Sequence, residues 1–278
     1  MGADFYGEDF QGADVAPFVG INTFLHLPWV KNHKELLEAK PDVAIIGEPF
    51  DFGTTIRPGA RYGPRAIRAA STIPSPPFER FNIETGADPF GTFRTVDYGD
   101  VVVSPGDVIG SHKSMTLKVK EVLEADGIPV MLGGDHSITY ANVRAFQKKF
   151  KNIGMIHFDT HADCAPQGLT GFKYDHGAHI RRIMEMGCLK GKNYSLVGPR
   201  GYWPGRDLYK WMSDQDFQWF TMLDVEELGI DYIAKEIADR DAAIAVETAR
   251  ASAAESENFL AIEAEEVRAK AAEKVNAD

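Results

Sequence analysis

The chain has 278 residues, 44% hydrophobic and 26% charged, a globular composition long enough for one large domain or two small ones. Its formal net charge of -11 argues against nucleic acid or an anionic membrane surface as a partner; it suits a small cationic substrate, although acidity for solubility alone accounts for it first. Cys164 and Cys188 make no disulfide framework, no apolar run approaches membrane-spanning length, and Met1 to Phe5 has neither a basic n-region nor an apolar h-region, so a cytoplasmic setting is expected.

In chain order, residues 1–40 read as an aromatic- and Gly-rich N-terminal arm with a short helical turn from Lys34 to Lys40. Asp42 to Gly47 is a short apolar run and predicts a first buried strand. A Gly- and Pro-rich loop follows, with a helix opening at Pro64, a residue favoured at the first helical position. Residues 72–93 read as loop, and Thr95 to Val101 as a strand at a sheet edge. Ser114 is placed as the cap of a helix with Leu117, Val119, Val122 and Leu123 on its apolar face, stopping at Asp126-Gly127. Ile128 to Leu132, Ile153 to Phe158, Tyr194 to Gly198 and Gln218 to Met222 are further strands, with helices from Tyr140 to Lys149 and from Val225. Short apolar strands alternating with helices predict βαβ units and a parallel sheet. Near Ala234 the composition changes to Ala, Glu, Lys and Arg without Gly or Pro, which favours helix. The expected organisation is an α/β domain over 1–233 and an atypical helical tail over 234–278.

Two clusters carry the chemistry. After the strand Ile153 to Phe158, Asp159, His161 and Asp163 alternate with Thr160 and Ala162. On extended backbone their side chains point the same way, and two carboxylates with an imidazole suit a hard or borderline divalent metal. Gly133-Gly134-Asp135-His136-Ser137 directly follows another strand. Taken alone it is also compatible with an ordinary turn and a capping Asp. Together the clusters put four candidate ligands, His136, Asp159, His161 and Asp163, beyond consecutive strand ends, where open α/β sheets collect ligands.

These motifs resemble the ureohydrolases, the arginase and agmatinase family. Gly47 to Pro64 (Gly-Glu-Pro-Phe-Asp-Phe-Gly-Thr-Thr-Ile-Arg-Pro-Gly-Ala-Arg-Tyr-Gly-Pro) and Phe220 to Gly229 resemble the agmatinase branch in particular, and the likeness runs from about residue 40 to about 232. It implies a three-layer α/β/α fold around a central, mostly parallel sheet. It also implies two Mn2+ ions, or Ni2+ in some branches, and a hydroxide that attacks a guanidinium carbon to release urea. By the same resemblance His136, Asp159 and Asp163 bind one metal, Asp159 bridges to a second that His161 also binds, and Asp163 holds the hydroxide. Tyr174 to His179 resembles the family's loop with a proton-shuttling histidine, and His176 matches it. His179 is a further candidate for proton transfer, weighed against a plain surface or capping residue. A trimer or hexamer, of like or unlike chains, is implied as well.

The family's third motif, Ser-x-Asp-x-Asp, has no counterpart after Asp224. The nearest stretch is Asn258 to Glu265, with Glu263 and Glu265 two apart after an apolar run. Two functions follow: an agmatinase-like hydrolase of a linear guanidino compound, or a non-catalytic ureohydrolase-like subunit acting through assembly with a complete paralogue.

Overall fold

The computed structural model describes residues 20–72, 81–169 and 171–240. The chain divides into two compact units, Met1–Ile153 with His161–Lys190 and Pro204–Trp211, and Gly154–Thr160 with Gly191–Trp203 and Met212–Asp278.

In the first unit, α1 (His33–Ala39) leads to the strand β1 (Val43–Glu48). β1 lies between β2 (Thr95–Asp100) and β3 (Ile128–Gly133), in parallel to both, with Ile45 opposite Asp97 on one side and Val130 on the other. The edge position expected for the Thr95 strand is the one it holds. Buried residues of β1 (Ala44, Ile46) and β2 (Val96, Tyr98) meet Leu36 of α1 and Met115, Val119 and Val122 of the helix after β2. Each fully buried side chain of this size contributes about 1.5–3 kcal/mol by leaving water.

The helix α2 (Gly63–Ser71) carries Pro64 in its first turn, as expected. Residues 81–92 are not plain loop: Asn82 and Ala87 form a bridge, and α3 (Pro89–Thr92) is one turn capped by Asp88, which accepts from Gly91 N at 2.9 Å. The helix α4 (Val108–Glu124) begins before Ser114, because Asp107 caps it by accepting from Gly110 N at 2.8 Å. Ser111 and His112 are buried on its inner face, and these polar types mask the apolar period at its start. At its other end Asp126 has φ 57° and Gly127 N donates to Val122 O at 3.0 Å, so the stop expected at Asp126-Gly127 holds. The helix α5 (Ile138–Lys149) follows β3 after a short turn and packs on α4. It is succeeded by β4 (Ile153–Phe158) and then by α6 (His179–Glu185).

The second sheet has the order β4-β5-β6, with β5 (Leu189–Val197) parallel to β6 (Gln218–Phe220). β5 starts five residues before the expected Tyr194. Between β5 and β6 lies α7 (Arg206–Asp214), a short helix, like α6, without the long apolar period that signals one. The helix α8 (Met222–Leu228) starts three residues before Val225 because Thr221 and Asp224 form a capping box, Asp224 N donating to Thr221 Oγ1 at 3.2 Å. Val197, Ile233 and Ile237 form a small core of the second unit with Phe220 and Val225. Residues 230–240 are helical, and the remainder of the expected tail, with Glu263 and Glu265, lies outside the described residues.

The pattern is the parallel-sheet α/β class expected from the sequence. Among the described residues, no helix is long and apolar enough to cross a membrane.

Candidate metal centre

The turn between β3 and α5 presents His136. Gly134 has φ 102°, and a Cβ there would stand 2.6 Å from Glu48 O and 2.9 Å from Phe50 O, so only glycine lets β3 pass this close to the chain leaving β1. Asp135 ties the turn together. Its carboxylate accepts from Gly53 N at 2.7 Å, Ser137 N at 2.8 Å and Ser137 Oγ at 2.5 Å, while its own N–H donates to Phe50 O at 2.8 Å. Burial holds the Asp135 carboxyl above its ordinary range, with these hydrogen bonds opposing. Asp135 is therefore committed to holding the turn, while α5 has Ser137 at its N-cap with no side-chain cap bond.

His136 Nδ1 lies 2.9 Å from Asp163 Oδ2. Asp163 has φ 45°, a left-handed conformation that Asp tolerates better than most residues, and its carbonyl accepts from Ile180 N at 3.0 Å. Asp163 thereby meets the start of α6, whose first residue is His179. His179 is 1% exposed, so the surface reading of this residue is overturned. Its Nδ1 is 2.8 Å from His176 O and 3.8 Å from Asp163 Oδ2, and its ring centroid is 4.1 Å from that of His136.

One ligand atom each from His136, Asp163 and His179 lies within 4.8 Å of the others. Metal–ligand distances of about 2.0–2.2 Å place neighbouring donors roughly 3–4 Å apart, so this group suits one first-row divalent ion after a small contraction. Two imidazoles and a carboxylate are donors that manganese, nickel and zinc all accept.

Among the expected ligands, His136 and Asp163 are thus brought together. β4 ends at Phe158, and with Asp163 left-handed the alternation of Asp159, His161 and Asp163 along an extended strand does not continue. Asp159 belongs to the second unit, where its N–H donates to Val197 O at 3.1 Å and its Oδ2 lies 3.6 Å from His157 Nε2. His157 Nδ1 is in turn 2.5 Å from the buried Tyr194 hydroxyl. His161 is exposed on the bend after β4.

His176 lies on the loop before α6. Its N–H donates to Gly53 O at 3.0 Å, and its ring Nε2 is 3.0 Å from Thr55 Oγ1. Sequence reasoning assigned no role to Thr55 and left His179 between proton transfer and a surface or capping position. The spacing of His176 and His179, three apart across Gly177-Ala178, was the available signal. Thr55 stands within the Gly47 to Pro64 segment that resembles the agmatinase branch, but its pairing with His176, 121 residues away, left no local signal.

The Arginase family model matches residues 41–246. A mitochondrial agmatinase of Gallus gallus is 37% identical over 204 residues, 73% of this chain and 57% of that protein. A guanidinobutyrase of Pseudomonas aeruginosa is 34% identical over 207 residues, 74% of this chain and 63% of that protein. The solved proclavaminate amidino hydrolase of Streptomyces clavuligerus superposes with a TM-score of 0.70 at 29% identity, covering 81% of this chain and 72% of that one. The chain spans less than two thirds of the length of the first two relatives. With motifs, fold and matched span in agreement, the chain belongs to the Arginase family and is similar to its agmatinase branch.

Proposed function

We propose that the chain carries a metal-dependent hydrolase centre for a linear guanidino compound, agmatine-like, with urea as product. The observation that carries this reading is the convergence of His136, Asp163 and His179, with His176 held on the adjoining loop. His136, Asp163 and His179 would hold a metal, and Asp159 and His161 are further ligands by family resemblance. A bound divalent ion, Mn2+ or Ni2+, supplies charge and lowers the pKa of water to give a nucleophile near neutral pH.

The protein's own groups do the rest. The Asp163 carboxylate accepts a hydrogen bond from the attacking water and orients it toward the guanidinium carbon. His176 moves a proton to the departing amine, work suited to an imidazole. The net charge of -11 favours the approach of a cationic guanidinium. We place the protein in the cytoplasm on its cysteine usage and lack of a membrane-length apolar run, and as a trimer or hexamer on the strength of the same resemblance.

The test is metal stoichiometry of the purified chain, alongside urea release from agmatine, 4-guanidinobutyrate and guanidine. Two retained ions per chain with urea from one of these compounds are expected. At most one ion and no urea from any of them would overturn the reading for this chain, and would favour a subunit that acts only with a complete paralogue.

A further inference from the structure

The loop between β1 and α2 is built more firmly than its Gly and Pro content suggests. Asp51 is buried and accepts from Gly59 N at 2.7 Å, Arg61 N at 3.2 Å and Arg61 Nε at 2.6 Å. Burial pushes the Asp51 carboxyl up, but the hydrogen bonds from Arg61 and Gly59 outweigh it and hold it below its ordinary range. Gly53 N donates to Asp135, and Gly53 O accepts from His176 N. The loop is therefore fixed both to the turn bearing His136 and to the backbone of His176.

At its centre is Thr55. Oγ1 is 3.0 Å from His176 Nε2 and 3.2 Å from Asp175 Oδ2, and the Thr55 N–H is 3.4 Å from the same Nε2. Asp175 is 7% exposed and accepts from Gly177 N at 2.8 Å, so this carboxylate is itself held in place. A hydroxyl has one proton and two acceptor lone pairs. With that proton directed to Asp175, Oγ1 accepts from a protonated Nε2. Rotated toward the ring, it donates to a bare Nε2. The Thr55 N–H also donates to Nε2 at 3.4 Å, which favours the bare nitrogen, so a single residue offers the ring two donors.

We propose that Thr55 is the positioning residue of His176, linking its imidazole to the buried Asp175 and leaving Nδ1 as the ring nitrogen that meets the substrate. This rests on the proposed role of His176 in proton transfer. A histidine on a turn can otherwise swing about two side-chain bonds, and a misplacement of about 1 Å costs on the order of 100-fold in rate. Losing such an orienting partner typically costs roughly 10- to 100-fold in activity.

The variants are Thr55→Val, which keeps the branched shape but removes the hydroxyl, and Thr55→Ser, which keeps the hydroxyl. The first measurement uses the metal-free full chain with 15N-labelled histidine. The Nε2 resonance of His176 is expected to move toward that of free imidazole in T55V and to stay at its original position in T55S. An unmoved resonance in T55V would overturn the proposal. The second measurement is urea release, where T55V is expected to lose roughly 10- to 100-fold in kcat with KM within about twofold, and T55S to recover most of it. An unchanged kcat in T55V, or equal losses in both variants, would also overturn it. Absence of urea from the unsubstituted chain counts against the proposed function instead, and the resonances then decide the role of Thr55.

Discussion

Asn142 and Glu48 form a buried amide–carboxyl pair, Asn142 Nδ2 donating to Glu48 Oε2 at 2.9 Å at the point where α5 crosses the end of β1. Their other oxygens, Glu48 Oε1 and Asn142 Oδ1, are both buried without a hydrogen-bond partner among the described residues. A proton on the carboxyl gives it a donor in place of a second bare acceptor. Burial pushes this acid up to about 8, against the partial opposition of the Asn142 amide.

The consequence for stability has a definite sign. The folded state holds this proton to higher pH than the unfolded chain, whose Glu titrates near 4.5. The contribution is therefore whole below about 4.5 and is lost as pH rises through about 8. Glu48→Gln keeps the shape and supplies a permanent donor. Thermal unfolding from pH 5 to pH 9 is expected to show E48Q gaining Tm over the unsubstituted chain as pH rises. A constant difference across that range would show that Glu48 does not titrate there.

Arg68 is a buried cation of the first unit. Its Nε and Nη2 make two parallel hydrogen bonds to Asp97, at 2.7 Å and 2.9 Å, and Nη1 reaches Asp100 at 2.5 Å. Burial lowers the Arg68 pKa, but the hydrogen bonds to Asp97 and Asp100 outweigh it and the net shift is upward. Arg68→Met would leave Asp97 buried without its counter-charge and should cost about 3–5 kcal/mol, measurable by urea denaturation. Arg68→Lys should recover only part of this, because an ammonium cannot reproduce the two-pronged contact.

The 2.9 Å pair of His136 and Asp163 predicts how metal binding responds to substitution and acid. A metal must displace protons from its ligands, so Mn2+ affinity should weaken on acidification. Asp163→Asn and His136→Ala should each weaken it by more than the roughly 10- to 100-fold typical of losing an outer-shell partner. Titration calorimetry with Mn2+ reads both effects, and circular dichroism confirms that the variants are folded. His179→Ala tests the third member, and an affinity equal to that of the unsubstituted chain would remove it from the ligand set.

By family resemblance Asp159 is proposed as a further metal ligand. Asp159→Asn is accordingly expected to abolish metal retention through dialysis, measured by elemental analysis. Unchanged metal content would show that this ligand is wrongly assigned.

The sequence by itself determined the class of fold and the neighbourhood of the chemistry. β1, β3 and β4 are short apolar runs, and hydrophobic periodicity is a local property that each segment carries alone. Gly133-Gly134 announced a tight turn before His136 because only glycine meets that backbone demand, and Ile128 to Ser137 contains the whole signal. Boundaries set by single polar side chains were less legible. Asp107 and Thr221 start α4 and α8 earlier than the apolar pattern does, because a cap acts through one hydrogen bond and leaves no period.

The tertiary structure alone decided which polar residues meet. His179 reads as an ordinary surface histidine until α6 is seen to bury it beside His136, 43 positions earlier, and Asp163. Thr55 lies 121 residues from His176 and becomes its partner only because Gly53 is tied to Asp135 and to the His176 backbone. Such convergence depends on how loops are anchored across the fold. A pairing made over that distance is a property of the folded chain, with no periodic trace in the residues that make it.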